Sequence, residues 1–123
     1  MPSRPTHFEI PVDDPDRAEK FYSTVFGWGF QRYPGAPSYY GLAATGDTTP
    51  GIDGALFQRS GDNSETTLTM SVDSVEDALD AVKGAGGKII QGKTPIPGMG
   101  WFGVCEDTEG NRIGVFTTDP KAG

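Results

Sequence analysis

One pattern, an alternating strand followed by a capped helix, occurs twice in this chain sixty positions apart, and that repeat restricts the folds open to it. In the first copy, Thr6 to Trp28, the residues Phe8, Ile10 and Val12 alternate with His7, Glu9 and Pro11. That is the two-residue period of a half-buried strand. Asp14-Pro15 then supplies an N-cap side chain and a proline at the first helical position. Ala18, Phe21, Tyr22, Val25 and Phe26 follow as one apolar stripe on a helix, which Gly27 ends. In the second copy Val72 to Ala78 falls on Val12 to Ala18, Gly87 on Gly27, and Thr67 on the only histidine, His7. Shared capping chemistry could explain the helix starts alone. The matching strand before the cap and glycine after the helix favour a duplication.

The rest of the chain fits two copies of one order. After the first helix, residues 28–33, 39–44 and 55–58 read as strands separated by Pro-Gly and glycine-rich turns. The polar residues 60–64 read as the hinge between halves. Residues 67–72 form a strand, 75–85 a helix, and 88–91, 101–106 and 112–118 strands, with a loop over 94–100 and a hairpin turn over 107–111. Each half is therefore βαβββ. The expected fold class is α+β: two βαβββ modules, roughly 6–60 and 66–118, in one domain spanning 1–123. Neither half is large enough to be stable alone, and two such sheets side by side would form a curved, open trough.

Charge narrows the function classes. Seventeen acidic against ten basic residues give a formal charge of -7, and the Lys and Arg residues form no cluster. Binding to nucleic acid or to an anionic membrane is not expected, because neutralising phosphate needs grouped cations. The single Cys105 cannot pair internally and has no second histidine to activate it, so it reads as a small strand residue. A polar, proline-broken start and the lack of any long apolar run lead us to expect a cytoplasmic protein.

The segments HFEIPVDDPDRAEKFYSTVFGW, SVDSVEDALDAVKGAGG and EDTEGNRIGVF, in that order, resemble the vicinal oxygen chelate superfamily, the group of glyoxalase I, bleomycin-resistance proteins, methylmalonyl-CoA epimerase and extradiol dioxygenases. The resemblance covers nearly the whole chain. It implies the paired-module trough, frequently a two-fold dimer, and in the enzymes a divalent metal held by His or Gln on the first strand, Glu on the fourth, His on the fifth and Glu on the last. Carried onto this chain, His7 keeps the first position. The fourth strand offers Phe57 or Gln58, the fifth Thr67, and the last Gly114. A divalent ion needs three or four strong donors, so no metal site of the family type and no cofactor is expected.

His7 and Glu9 share one strand face about 7 Å apart by strand rise. They read as an acid/base pair, Glu9 the base and His7 the donor to a substrate oxygen, or as a structural polar pair. Alternation puts Gly114 and Phe116 inward on the last strand. On the seventh it puts either Trp101 and Gly103 or Phe102 and Val104 inward. Gly114, in place of a ligand, would free volume for a bound molecule. The expected ligand contacts are Thr67, Thr69, Trp101, Phe116, Tyr40 and Gln58, in an aromatic-lined groove suited to a small organic molecule. Three functions follow: a metal-free binder of such a molecule; a metal-dependent lyase, isomerase or dioxygenase anchored by His7; and a non-catalytic interaction subunit. A homodimer is expected in each case, covering edge strands.

Overall fold

The computed structural model describes residues 2–123. Ten elements follow in chain order: β1 (Arg4–Val12), α1 (Pro15–Phe26), β2 (Gly29–Arg32), β3 (Tyr40–Ala44), β4 (Gly54–Gln58), β5 (Thr67–Ser71), α2 (Val75–Gly84), β6 (Lys88–Ile96), β7 (Gly100–Glu106) and β8 (Arg112–Thr118). They fall into two compact units. The N-terminal unit is His7–Thr66, and the C-terminal unit takes the rest, including the described residues before His7.

Both units use one wiring. In the N-terminal unit β1 pairs parallel with β4, β4 antiparallel with β3, and β3 antiparallel with β2. In the C-terminal unit β5 pairs parallel with β8, β8 antiparallel with β7, and β7 antiparallel with β6. The α+β fold of two βαβββ modules is thus present as expected. The capping chemistry repeats as well. Asp14 accepts from the Arg17 amide at 3.1 Å, and Ser74, sixty residues on, accepts from the Asp77 amide at 3.2 Å. Each satisfies an amide that the helix itself leaves unpaired.

The copies differ where their side chains differ. Gly27 closes α1 at φ 75°. In the second copy Gly86, at φ 95°, takes the left-handed position after a shorter helix. Gly87, its match by sequence shift, instead allows close approach: a Cβ there would lie 2.5 Å from the Glu106 carbonyl. The residues expected as a loop from Thr94 continue β6 to Ile96, through register shifts between Ile89 and Gln91 and between Gln91 and Thr94.

The C-terminal unit holds a core of Val75, Leu79, Cys105 and Val115, all buried, with Trp101, Ile113 and Ile89 against it. Helix α1 buries nothing completely. Ala18 and Tyr22 face its sheet, Tyr22 stacks on Trp28 at 4.9 Å between centroids, and Trp28 meets Phe8 at 5.3 Å. Phe21, Val25 and Phe26 stay 53–58% exposed, because the stripe is wider than the strip of sheet its helix covers.

Candidate functional site

The faces of the N-terminal sheet follow from its pairing. Phe8, Ile10 and Val12 pair with Gly54, Leu56 and Gln58, and Phe8 packs under Trp28. That is the α1 side, where Arg32 bonds Asp16 and Glu19 and Tyr39 donates to Glu19. His7, Glu9, Ala55, Phe57, Tyr40 and Leu42 therefore share the opposite face, which no helix of this unit covers.

On that face three polar side chains form one chain of hydrogen bonds. Tyr40 Oη lies 3.0 Å from His7 Nε2 and donates to Glu9 Oε2. His7 Nε2 and Glu9 Oε2 are 3.7 Å apart, too far to bond directly. Tyr40 reaches this position because of register: Tyr40 pairs with Phe57, and Phe57 pairs with Pro11. Its backbone is thus two strand spacings, about 9–10 Å, from β1, a gap that a tyrosine and a glutamate side chain span together. Burial, then the Glu9 charge and the bond to it, push the Tyr40 hydroxyl far above its usual range, so it keeps its proton at neutral pH. His7 and Glu9 side chains are 29% and 30% exposed, half-buried yet reachable.

The other expected contacts divide by face. Gln58 is on the α1 side, where its amide donates to the carbonyls of Val12 and Asp13 at 3.3 and 3.2 Å. It ties β4 to the turn before α1, and Phe57 holds the open-face position instead. In the C-terminal unit, Thr69 and Phe116 lie away from α2, since Gly114 pairs with Thr69 while Ile113 and Val115 belong to the helix-side core. Thr67 is only 4% exposed. Trp101 is on the α2 side with Cys105 and Gly103, against Leu79; its indole donates to Asp119 at 3.0 Å and carries Lys93 over its ring at 4.5 Å. Phe102 and Val104 are the open-face pair on β7. Nor does Gly114 free space: a Cβ there would sit 2.8 Å from Thr69 Oγ1, so the threonine already occupies that volume.

The bridging role of Tyr40 is what sequence reasoning missed. Tyr39-Tyr40 at a strand start marks both tyrosines alike, and only the parity of the strand separates the one bonded to Glu19 from the one bonded to Glu9.

This fold of two βαβββ modules matches a known class. The chain belongs to the Glyoxalase/Bleomycin resistance protein/Dioxygenase superfamily, whose profile matches residues 4–115. It is 32% identical over 122 residues to a glyoxylase-like domain-containing protein of Didymella fabae, covering 92% of each chain. Among solved structures, hypothetical protein BH1468 from Bacillus halodurans C-125 superposes with TM-score 0.70 at 16% identity, over 100% of this chain and 99% of that one. Methylmalonyl-CoA epimerase from Mycobacterium tuberculosis gives 0.69 at 14% identity, over 94% and 88%. At these identities the two structures establish the fold alone.

The family's divalent metal can be tested against the side chains at its ligand positions. His7 supplies an imidazole whose Nε2 is already engaged by Tyr40. The open face of β4 supplies Ala55 and Phe57, the fifth strand the buried hydroxyl of Thr67, and the last strand Gly114. Among the described residues no three His, Cys, Asp or Glu side chains gather as metal donors do. Hydroxyl, methyl and phenyl groups do not fit a family-type site.

Proposed function

We propose that this protein binds a small organic molecule on the open face of its N-terminal unit, through His7, Tyr40 and Glu9, without a family-type metal ion. The observation that carries this reading is the hydrogen-bonded chain His7–Tyr40–Glu9 on the face that also exposes Leu42. A structural polar pair needs no third group, whereas a reachable acid–hydroxyl–imidazole series beside apolar side chains can orient a ligand and relay a proton. If the bound molecule reacts, Tyr40 passes the proton between imidazole and carboxylate, and His7 and Glu9 act as one acid/base unit.

The reading extends to a cytoplasmic homodimer. The exposed Phe21, Val25 and Phe26 of α1 support the second half of that statement, as an apolar surface that association would cover.

Thermal unfolding against a panel of neutral aromatics, α-keto aldehydes and acyl thioesters tests the proposal, because a ligand for the native state raises its stability. At least one class should raise the midpoint of the native protein and raise that of Tyr40→Phe and His7→Ala less. No shift with any class would favour a non-catalytic interaction subunit. Stoichiometric Zn, Ni, Mn or Fe in the purified protein, lost in His7→Ala, would favour a metal-dependent lyase, isomerase or dioxygenase instead.

A further inference from the structure

The hydrogen bonds around His7 fix more than its position. A tyrosine hydroxyl has one proton to give. Tyr40 gives it to the Glu9 carboxylate, and the hydroxyl is held in its protonated form by burial and by that same carboxylate. Its oxygen is then left to accept from His7 Nε2, 3.0 Å away. In a neutral imidazole one nitrogen carries hydrogen and the other a lone pair. The series His7 Nε2–H, Tyr40 Oη–H, Glu9 carboxylate therefore leaves Nδ1 bare.

Nδ1 has no donor of its own among the described residues. It is also not sealed off, since no buried side-chain nitrogen or oxygen lacks a partner among the described residues. The reachable polar atom of the imidazole is thus an acceptor. Glu9, 3.7 Å from the other ring nitrogen, adds negative charge to the same face, and the whole chain carries -7. A ligand that brought only acceptors, or a carboxylate, would set lone pair against lone pair and charge against charge. Leu42, 37% exposed on the same face, favours an apolar body.

We propose that His7 is locked by Tyr40 as the Nε2–H tautomer, and that its Nδ1 selects neutral ligands presenting an O–H or N–H donor on an apolar ring or chain. This rests on the site assigned under the proposed function, and it reverses the roles the sequence suggests: His7 receives from the ligand rather than donating to it. Tyr40 acts here as a positioning residue through His7.

One histidine per chain makes the lock directly observable. In a long-range 1H–15N spectrum of the 15N-labelled protein, Nε2 of His7 should resonate as a protonated, pyrrole-like nitrogen and Nδ1 as an unprotonated, pyridine-like one. Tyr40→Phe should move both toward averaged, exchanging values while the rest of the spectrum stays folded. Glu9→Gln, which removes the strong acceptor beyond Tyr40, should loosen the lock in the same direction. A protonated Nδ1 in the native protein, or an unchanged tautomer in Tyr40→Phe, would overturn the proposal.

Ligand class is read with matched probes. Phenol and indole should displace the Nδ1 resonance at concentrations at least tenfold lower than anisole and 1-methylindole, which keep the ring and lose the donor. Benzoate should be weaker than phenol. Equal effects within each pair, or tighter binding of benzoate, would overturn the donor preference. If none of the five compounds moves His7, the binding site assigned above fails together with the donor preference, while the spectrum still decides the tautomer by itself.

Discussion

Replacing Leu79 and Gly103 singly and together tests the facing of β7, which puts Trp101 and Gly103 on the α2 side. Gly103 lies under α2: a Cβ built on it would be 2.9 Å from Leu79 Cδ1 and 3.3 Å from the Gln91 carbonyl. Leu79 is 4% exposed and belongs to the core with Val75, Cys105 and Val115. Leu79→Ala removes three buried carbons from a site held open by its neighbours, at a cost of about 3 kcal/mol within the ~2–5 usual for such changes. Gly103→Ala forces a methyl group against Cδ1 and costs about 2 kcal/mol by overpacking. Independent sites would sum to about 5 kcal/mol, close to the whole stability of a small domain. In the double variant, however, the nearest atom that the new methyl meets is gone, only the looser contact with the Gln91 carbonyl remains, and the methyl fills part of the cavity. The pair should cost about 3 kcal/mol, a coupling of ~2 kcal/mol. Urea unfolding measures this: with a slope of about 1.5 kcal/mol per molar, Leu79→Ala lowers the midpoint by ~2 M and Gly103→Ala adds little to it. Additivity within about 0.5 kcal/mol would refute the contact. It would also return Trp101 and Gly103 to the open face.

Other outcomes follow from the same geometry. Trp101→Phe should lose the bond to Asp119, destabilising the fold by about 1 kcal/mol, yet leave the phenol response of His7 unchanged, whereas Leu42→Ala should weaken that response. Cys105 is 3% exposed, and burial, then the Asp107 charge, push its thiol above the usual range. A thiol-specific reagent at neutral pH should label the denatured chain at once and the native chain only as fast as it opens. Bonds from the backbone and side chain of Asn111 and from the Glu109 amide hold the Asp107 carboxyl below its ordinary range. A lowered folded-state pKa means stability that is complete above the unfolded value and lost as pH falls through the folded one. Unfolding measured from about pH 5 down to pH 3 should therefore show a flatter loss in Asp107→Asn than in the native protein.

How far the sequence carried can be judged from particular residues. The two caps, Asp14 and Ser74, and the period-two strands around them are local matters, set by side chains bonding amides three residues away and by apolar residues on one side of a pleat. For that reason the two βαβββ modules, and His7 and Glu9 on one face of β1, could be read directly. The parity of β7 could not: Trp101 and Phe102 are both aromatic, so either could point toward a helix. The volume above Gly114 was equally hidden, because Thr69, which fills it, is forty-five residues away along the chain.

The chain by itself thus determined a doubled architecture and the placing of His7 and Glu9 on one face of β1, since identity and short-range order suffice for both. Only the tertiary structure decided that Tyr40 stands between His7 and Glu9, that Gln58 and Trp101 face helices, and which imidazole nitrogen Tyr40 engages. Those depend on the pairing of β1, β4 and β3 and on the packing of α2 against β7. Each is a contact between residues far apart in sequence, and a shift of one residue in any strand would send every side chain on it to the other face.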